Sequence, residues 1–177
     1  MDITVGPVDS AVIFKLPKEL LCKSSTYFDA ALNNGFLETT TQKLTLDDHS
    51  EVFRTYAAWL FQLEITDENL MELLDPIRHL FQVYIFADKR GIRTLANDVV
   101  TYLSSFWVQE PIDVRITVEF LPLIPLGCTL YRLVLDNLVL ESRADWWHGE
   151  EWKKICNHSK EIIVELYKRE HDFPYSF

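Results

Sequence analysis

Basic residues are scarce in this 177-residue chain: 17 lysines and arginines stand against 27 aspartates and glutamates, a formal charge of −10. No basic run interrupts the acid. The counterion displacement by which proteins hold phosphate backbones has no surface to work from, so nucleic acid is not expected as a direct partner. Cysteine is scarcer still. Cys22, Cys128 and Cys156 are odd in number and far apart, which gives no disulfide framework and points to a reducing, intracellular compartment, cytoplasm or nucleus. Long apolar runs are missing too. The longest charge-free stretch, Phe120 to Tyr131, is broken by Pro122 and Pro125, whereas a spanning helix needs about 20 apolar residues. No membrane partner is expected, and the N-terminus lacks the basic and apolar segments of a secretion signal.

What is present belongs to a folded globule. Hydrophobic residues make up 48% and charged residues 25%, proportions that argue against disorder. Aromatics at 13% suffice for a substantial core and for a protein interface.

Short strands come first. Asp2 to Val5 and Val12 to Leu16 are partly β-branched runs split by Gly6-Pro7 and Asp9-Ser10, which reads as a hairpin. Pro17 fits a first helical position, and Leu20, Leu21, Ser24, Tyr27, Phe28, Ala31 and Leu32 follow at helical spacing until Asn33-Asn34-Gly35. Lys43 to Leu46 alternates like a strand. Asp48-His49-Ser50-Glu51 has the shape of a capping box before a helix striped by Phe53, Tyr56, Trp59 and Leu60. Pro76 opens a long helix carrying Ile77, Leu80, Phe81, Tyr84, Ile85 and Ala87, with Gly91 as its stop. Another helix runs from Arg93 to Leu103. The remainder reads as helical: Ile112 to Phe120, Leu130 to Leu140, and Glu150 to Arg169. Strands followed by helical hairpins predict an α+β fold, with residues 1–103 as one domain and 104–177 as a helical C-terminal extension.

Chemistry-bearing motifs are few. The chain contains no nucleophile elbow, phosphate-binding loop, H-E-x-x-H or catalytic carboxylate pair, so it is not expected to be an enzyme or to take a cofactor. Asp47-Asp48 is accounted for by strand exit and helix capping, and Glu150-Glu151 by the acidic first turn of a helix. Cys156 and His158 diverge around their helix, so together with His148 they do not make a zinc site. Cys22 and Cys128 read as small buried hydrophobes. Trp146, Trp147 and Trp152 either form an exposed binding face or pin the C-terminal helices to the core.

Five blocks then carry a resemblance. Phe14 to Phe28, with its Leu20-Leu21 helix ending Ser25-Thr26-Tyr27-Phe28, is similar to the opening signature of the BTB/POZ family. Gly35 to Glu38, Leu44 to Asp48, Phe53 to Phe61, and Tyr84 to Ile92 with Leu95 and Asn97 resemble that family's next elements in order. The last of these, with Leu126 to Val134, is most similar to filamentous-fungal members. The resemblance implies a BTB/POZ-like fold, a small sheet flanked by helical hairpins, acting as a protein–protein interaction module. Two departures stand out: Pro17 replaces the family's His before Lys18, and no leading helix and strand precede Asp2. The second favours a monomer or a weak homodimer over a strand-exchanged one.

The resemblance also nominates sites. Phe36-Leu37-Glu38 fits the hydrophobic-x-Glu pattern that BTB adaptors present to a cullin-three ubiquitin-ligase scaffold, with the aromatic as anchor and the carboxylate aligning polar groups. Tyr56 and its neighbours on an exposed helix face extend that surface. The other reading is that Phe36 folds back and Glu38 is solvated. Asp2 and Lys18 correspond to the charged pocket of a dimer seam, or are ordinary surface charges. The expected function is therefore a ligase adaptor joining a cullin to a client protein, with a self-associating scaffold or transcription-linked assembly domain as the alternative and a small-molecule or enzymatic role more remote.

Overall fold

The computed structural model describes residues 1–34, 41, 43–71 and 73–142, with Lys153, Val164 and Lys168 beyond them. The chain divides into two compact units, Met1–Val99 and Val100–Phe177. A three-stranded sheet in the first unit and helices in both make the fold α+β.

In the first unit, β1 (Asp2–Val5) pairs antiparallel with β2 (Val12–Lys15) and parallel with β3 (Lys43–Leu46), giving the order β2-β1-β3. Strand alternation decides which side is core. The register sets Ile3 beside Leu44 and Val5 beside Leu46, and all four are buried. Gly6 leaves β1 at φ +105 and donates its N–H to Leu46 O at 3.0 Å, so the turn also fixes the parallel neighbour.

The helical run after Pro17 is two helices rather than one. α1 (Lys18–Ser24) and α2 (Thr26–Asn33) meet at Ser25, which is extended at φ −140, ψ 124. Its buried Oγ accepts from Phe28 N at 3.1 Å, capping α2, and donates to Arg90 O at 2.5 Å. The serine trades helical continuity for a cap and a long-range tether.

α3 (Ser50–Gln62) buries Val52, Phe53, Tyr56, Trp59 and Leu60 along one face. Its start differs from the capping box expected at Asp48. The N-cap is His49, without a side-chain bond, because Asp48 is drawn away to Arg90. α4 (Asp67–Leu70) is a single turn. α5 (Pro76–Lys89) opens on Asp75, whose side chain accepts from Arg78 N at 3.1 Å, and Gly91 follows it at φ +63. α5 buries more than the expected stripe: Val83 and Phe86 are enclosed with Phe81 and Tyr84, whereas Ile77 and Ile85 are half-buried. α6 (Arg93–Phe106) begins in this unit with Leu95 and Val99 buried.

Tyr56 centres the aromatic core. Its ring lies 5.8 Å from Phe28, 5.5 Å from Phe53 and 5.5 Å from Phe86, while Phe53 reaches Phe14 at 4.8 Å. Strand β2, α2, α3 and α5 therefore share one cluster, each ring pair adding to the burial energy of its area.

The second unit packs α7 (Val114–Phe120), capped by Asp113, and α8 (Thr129–Ser142). Buried Leu130, Tyr131, Val134, Leu135, Leu138 and Val139 give α8 a broad apolar face. Cys128 is half-exposed rather than buried, and its Sγ accepts from Tyr131 N at 3.3 Å at the start of α8. Cys22 is likewise half-exposed, with Sγ 3.5 Å from Asn33 Nδ2. The Trp146, Trp147 and Trp152 cluster, His148, Cys156 and His158 lie outside the described residues.

Candidate functional site

Phe36 and Glu38 also lie outside the described residues. The elements flanking them are α2 and β3. The end of α2 is closed by Lys18, which donates Nζ to Leu32 O at 2.8 Å, a cation on the last-turn carbonyls of a helix. Within one chain that contact engages Lys18, one of the two residues expected at a dimer seam. The two make no ion pair among the described residues: Lys18 is spent on α2, and Asp2 sits in β1 opposite Lys15 and beside Lys43.

Tyr56 does not extend a surface. It is fully buried, and its hydroxyl shares a 2.8 Å hydrogen bond with Ser24 Oγ. Burial pushes its pKa far up, with the Ser24 contact pulling the other way. The helical spacing that put Tyr56 in line with Phe53 and Trp59 signalled core. Trp59 behaves similarly, its ring buried while Nε1 donates to Asp98 Oδ2 at 2.8 Å.

A charged concavity in the first unit brings together residues that no sequence motif links. A groove of about 780 Å3 lies between the Gly6–Ser10 turn, the exit of β3, the start of α3 and the end of α5. Arg90 pairs with Asp48 there and stacks over the Tyr27 ring, its guanidinium carbon 4.3 Å from the centroid. Lys89 Nζ stands 3.4 Å from Asp47 and 3.3 Å from Asp48. The Lys89 hydrogen bond holds the Asp47 carboxyl below its ordinary 3.8. Arg90 is almost wholly enclosed, and its Nε finds no acceptor among the described residues. These charges are engaged with one another, so the groove is built as a cross-brace. The sequence holds a signal in the complementary doublets Asp47-Asp48 and Lys89-Arg90, although strand exit and capping are local roles that suffice for the first.

A smaller cleft of about 300 Å3 runs between the start of α3 and α5. On its wall His79 is buried, with Nε2 2.7 Å from Thr55 Oγ1. Desolvation lowers the imidazole pKa below its ordinary 6.5, opposed by the charge of Glu51. In the second unit a groove of about 410 Å3 is lined by Thr101, Ser104, Ser105, Thr129 and Arg132 among others. Among the described residues no group of three or more His, Cys, Asp or Glu side chains is placed to hold a metal ion. Among them too, no helix is long and apolar enough to cross a membrane. No protein-family model matches the chain, and no curated protein matches it.

Proposed function

We propose that this chain is a protein–protein interaction module of BTB/POZ type that serves as an adaptor for a cullin-three ubiquitin-ligase scaffold. The carrying observation is an order. The first unit runs hairpin, paired short helices, third strand, then the helices of α3 and α5 on one aromatic core. Four of the five resembling blocks fall on these elements in that order, and the other, Gly35 to Glu38, lies outside the described residues.

Phe36 supplies the anchor and Glu38 the aligning carboxylate in this reading, while Tyr56 is withdrawn into the core. Affinity capture tests it: immobilised full chain should retain a purified cullin-three N-terminal domain. Failure to retain it removes the adaptor role and leaves the self-associating scaffold, which sedimentation would then show as a concentration-dependent dimer.

A further inference from the structure

From the last turn of α3 to the start of α5 the chain exposes apolar side chains that the fold does not use. Phe61 is 63% exposed, Leu63 67%, Met71 78% and Leu74 fully. The segment is nevertheless held in place. Ile65 and Leu70 are buried beneath it, and backbone bonds from Met71 N to Asp67 O at 2.9 Å and Leu73 N to Leu70 O at 3.0 Å fold it into turns. Leu74 continues into the wall of the cleft beside α5.

Leu63 is the second observation. It is the one non-glycine residue at positive φ among the described residues, at +55, closing α3 with its N–H on Trp59 O at 2.7 Å. Glycine or asparagine ends a helix in this conformation at lower cost. A leucine there adds strain and, two-thirds exposed, contributes little burial in return. Strain kept without gain in the fold marks a surface shaped for something else.

Charge says what that is. Glu64, Asp67 and Glu68 are exposed among these apolar groups, no Lys, Arg or His occurs in the sequence from Phe61 to Ile77, and Arg78, which lines the cleft with Leu74, pairs with Asp75 at 3.0 Å. An anionic lipid surface would be repelled. A second copy of this chain would set the same acids against themselves. We infer that the exposed Phe61, Leu63, Met71 and Leu74 dock a basic amphipathic segment of a partner protein, its apolar anchors against these side chains and its lysines or arginines against the neighbouring acids. The inference does not rest on Phe36 or Glu38, and it stands whether or not a cullin binds.

The test uses the full chain and a labelled synthetic amphipathic helix of leucine and lysine, with a leucine–glutamate helix of the same apolar stripe as comparison, followed by fluorescence anisotropy. The leucine–lysine helix should bind and the other should not. Met71→Ser with Leu74→Ser, and separately Glu64→Lys with Glu68→Lys, should each weaken binding at least about tenfold, or 1.4 kcal/mol. Val8→Ser with Asp9→Lys, at an exposed turn of the sheet, should leave it unchanged. Circular dichroism checks that each variant is folded. Absence of binding to the leucine–lysine helix, equal binding of both helices, variants that bind like the parent, or an equal loss in the Val8 and Asp9 variant would overturn the inference.

Discussion

Arg90 and Asp48, 42 residues apart in sequence, form an enclosed ion pair with side-chain exposures of 6% and 11%. The pair ties the end of α5 to the exit of β3, and Arg90's own carbonyl takes the Ser25 hydroxyl. Three segments therefore converge on one residue. Removing one partner of a buried pair costs far more than removing both, because a lone enclosed charge has no compensation.

Asp48→Ala should destabilise the chain by about 3 kcal/mol in urea unfolding. The pair Asp48→Leu with Arg90→Met should recover most of that loss. Asp47, with an exposed carboxylate, should be replaceable by Ala with little shift of the midpoint. Equal effects of Asp47→Ala and Asp48→Ala would show that the pair is not enclosed.

Tyr56 tests the aromatic core. Tyr56→Phe keeps the ring and loses the Ser24 bond, so about 1 kcal/mol is expected. Ser24→Ala should cost a similar amount, and the double variant should cost less than their sum. Tyr56→Ala and Tyr84→Ala, which empty buried sites, should each cost about 3 kcal/mol or more. An unchanged thermal midpoint for either alanine variant would mean that the face is exposed.

Gly91 sits at φ +63, and a Cβ there would collide with Thr26 Oγ1. Gly91→Ala should therefore destabilise by more than the ~1 kcal/mol that the backbone conformation alone exacts. Adding Thr26→Ala should restore the steric part and leave the conformational part. A double variant no better than the single one would place the strain elsewhere.

His79 gives the pH dependence its direction. Its folded pKa is lowered by burial, so the unfolded chain takes up a proton first as pH falls through the ordinary 6.5. Stability should be full above that value and decline below it, before the carboxylates Asp47 and Asp113, also lowered from 3.8, begin to titrate. His79→Gln should flatten the decline between about pH 6.5 and 5. A parent whose urea midpoint is constant over that range would contradict the assignment.

Much of the fold was legible because periodicity and punctuation are local. The hairpin, the strand at Lys43 to Leu46, the stripe of Phe53, Tyr56 and Trp59, and the Pro76-to-Gly91 helix each follow from their own residues. Ser25 was not legible as a break, since an extended serine inside a helical pattern is explained only by Arg90 O and Phe28 N. Asp48 followed the same logic: a local motif offered one role and a distant cation another, and the enclosed charge won. Family resemblance points Tyr56 to a surface, whereas its own helical spacing with Phe53 and Trp59 points it inside, where it lies. Long-range pairing and the breadth of the buried face of α5 depend on what packs against them.

Calorimetric titration of the full chain with a cullin-three N-terminal domain tests the adaptor role most directly, with Phe36→Ala and Glu38→Ala beside the parent. The expected result is saturable binding by the parent and a loss of about 2 kcal/mol, near thirtyfold, for Phe36→Ala with its circular dichroism unchanged. Glu38→Ala should lose less unless its carboxylate is desolvated against a paired charge. No heat of binding from the folded parent would contradict the adaptor role, and equal binding by Phe36→Ala would contradict its site.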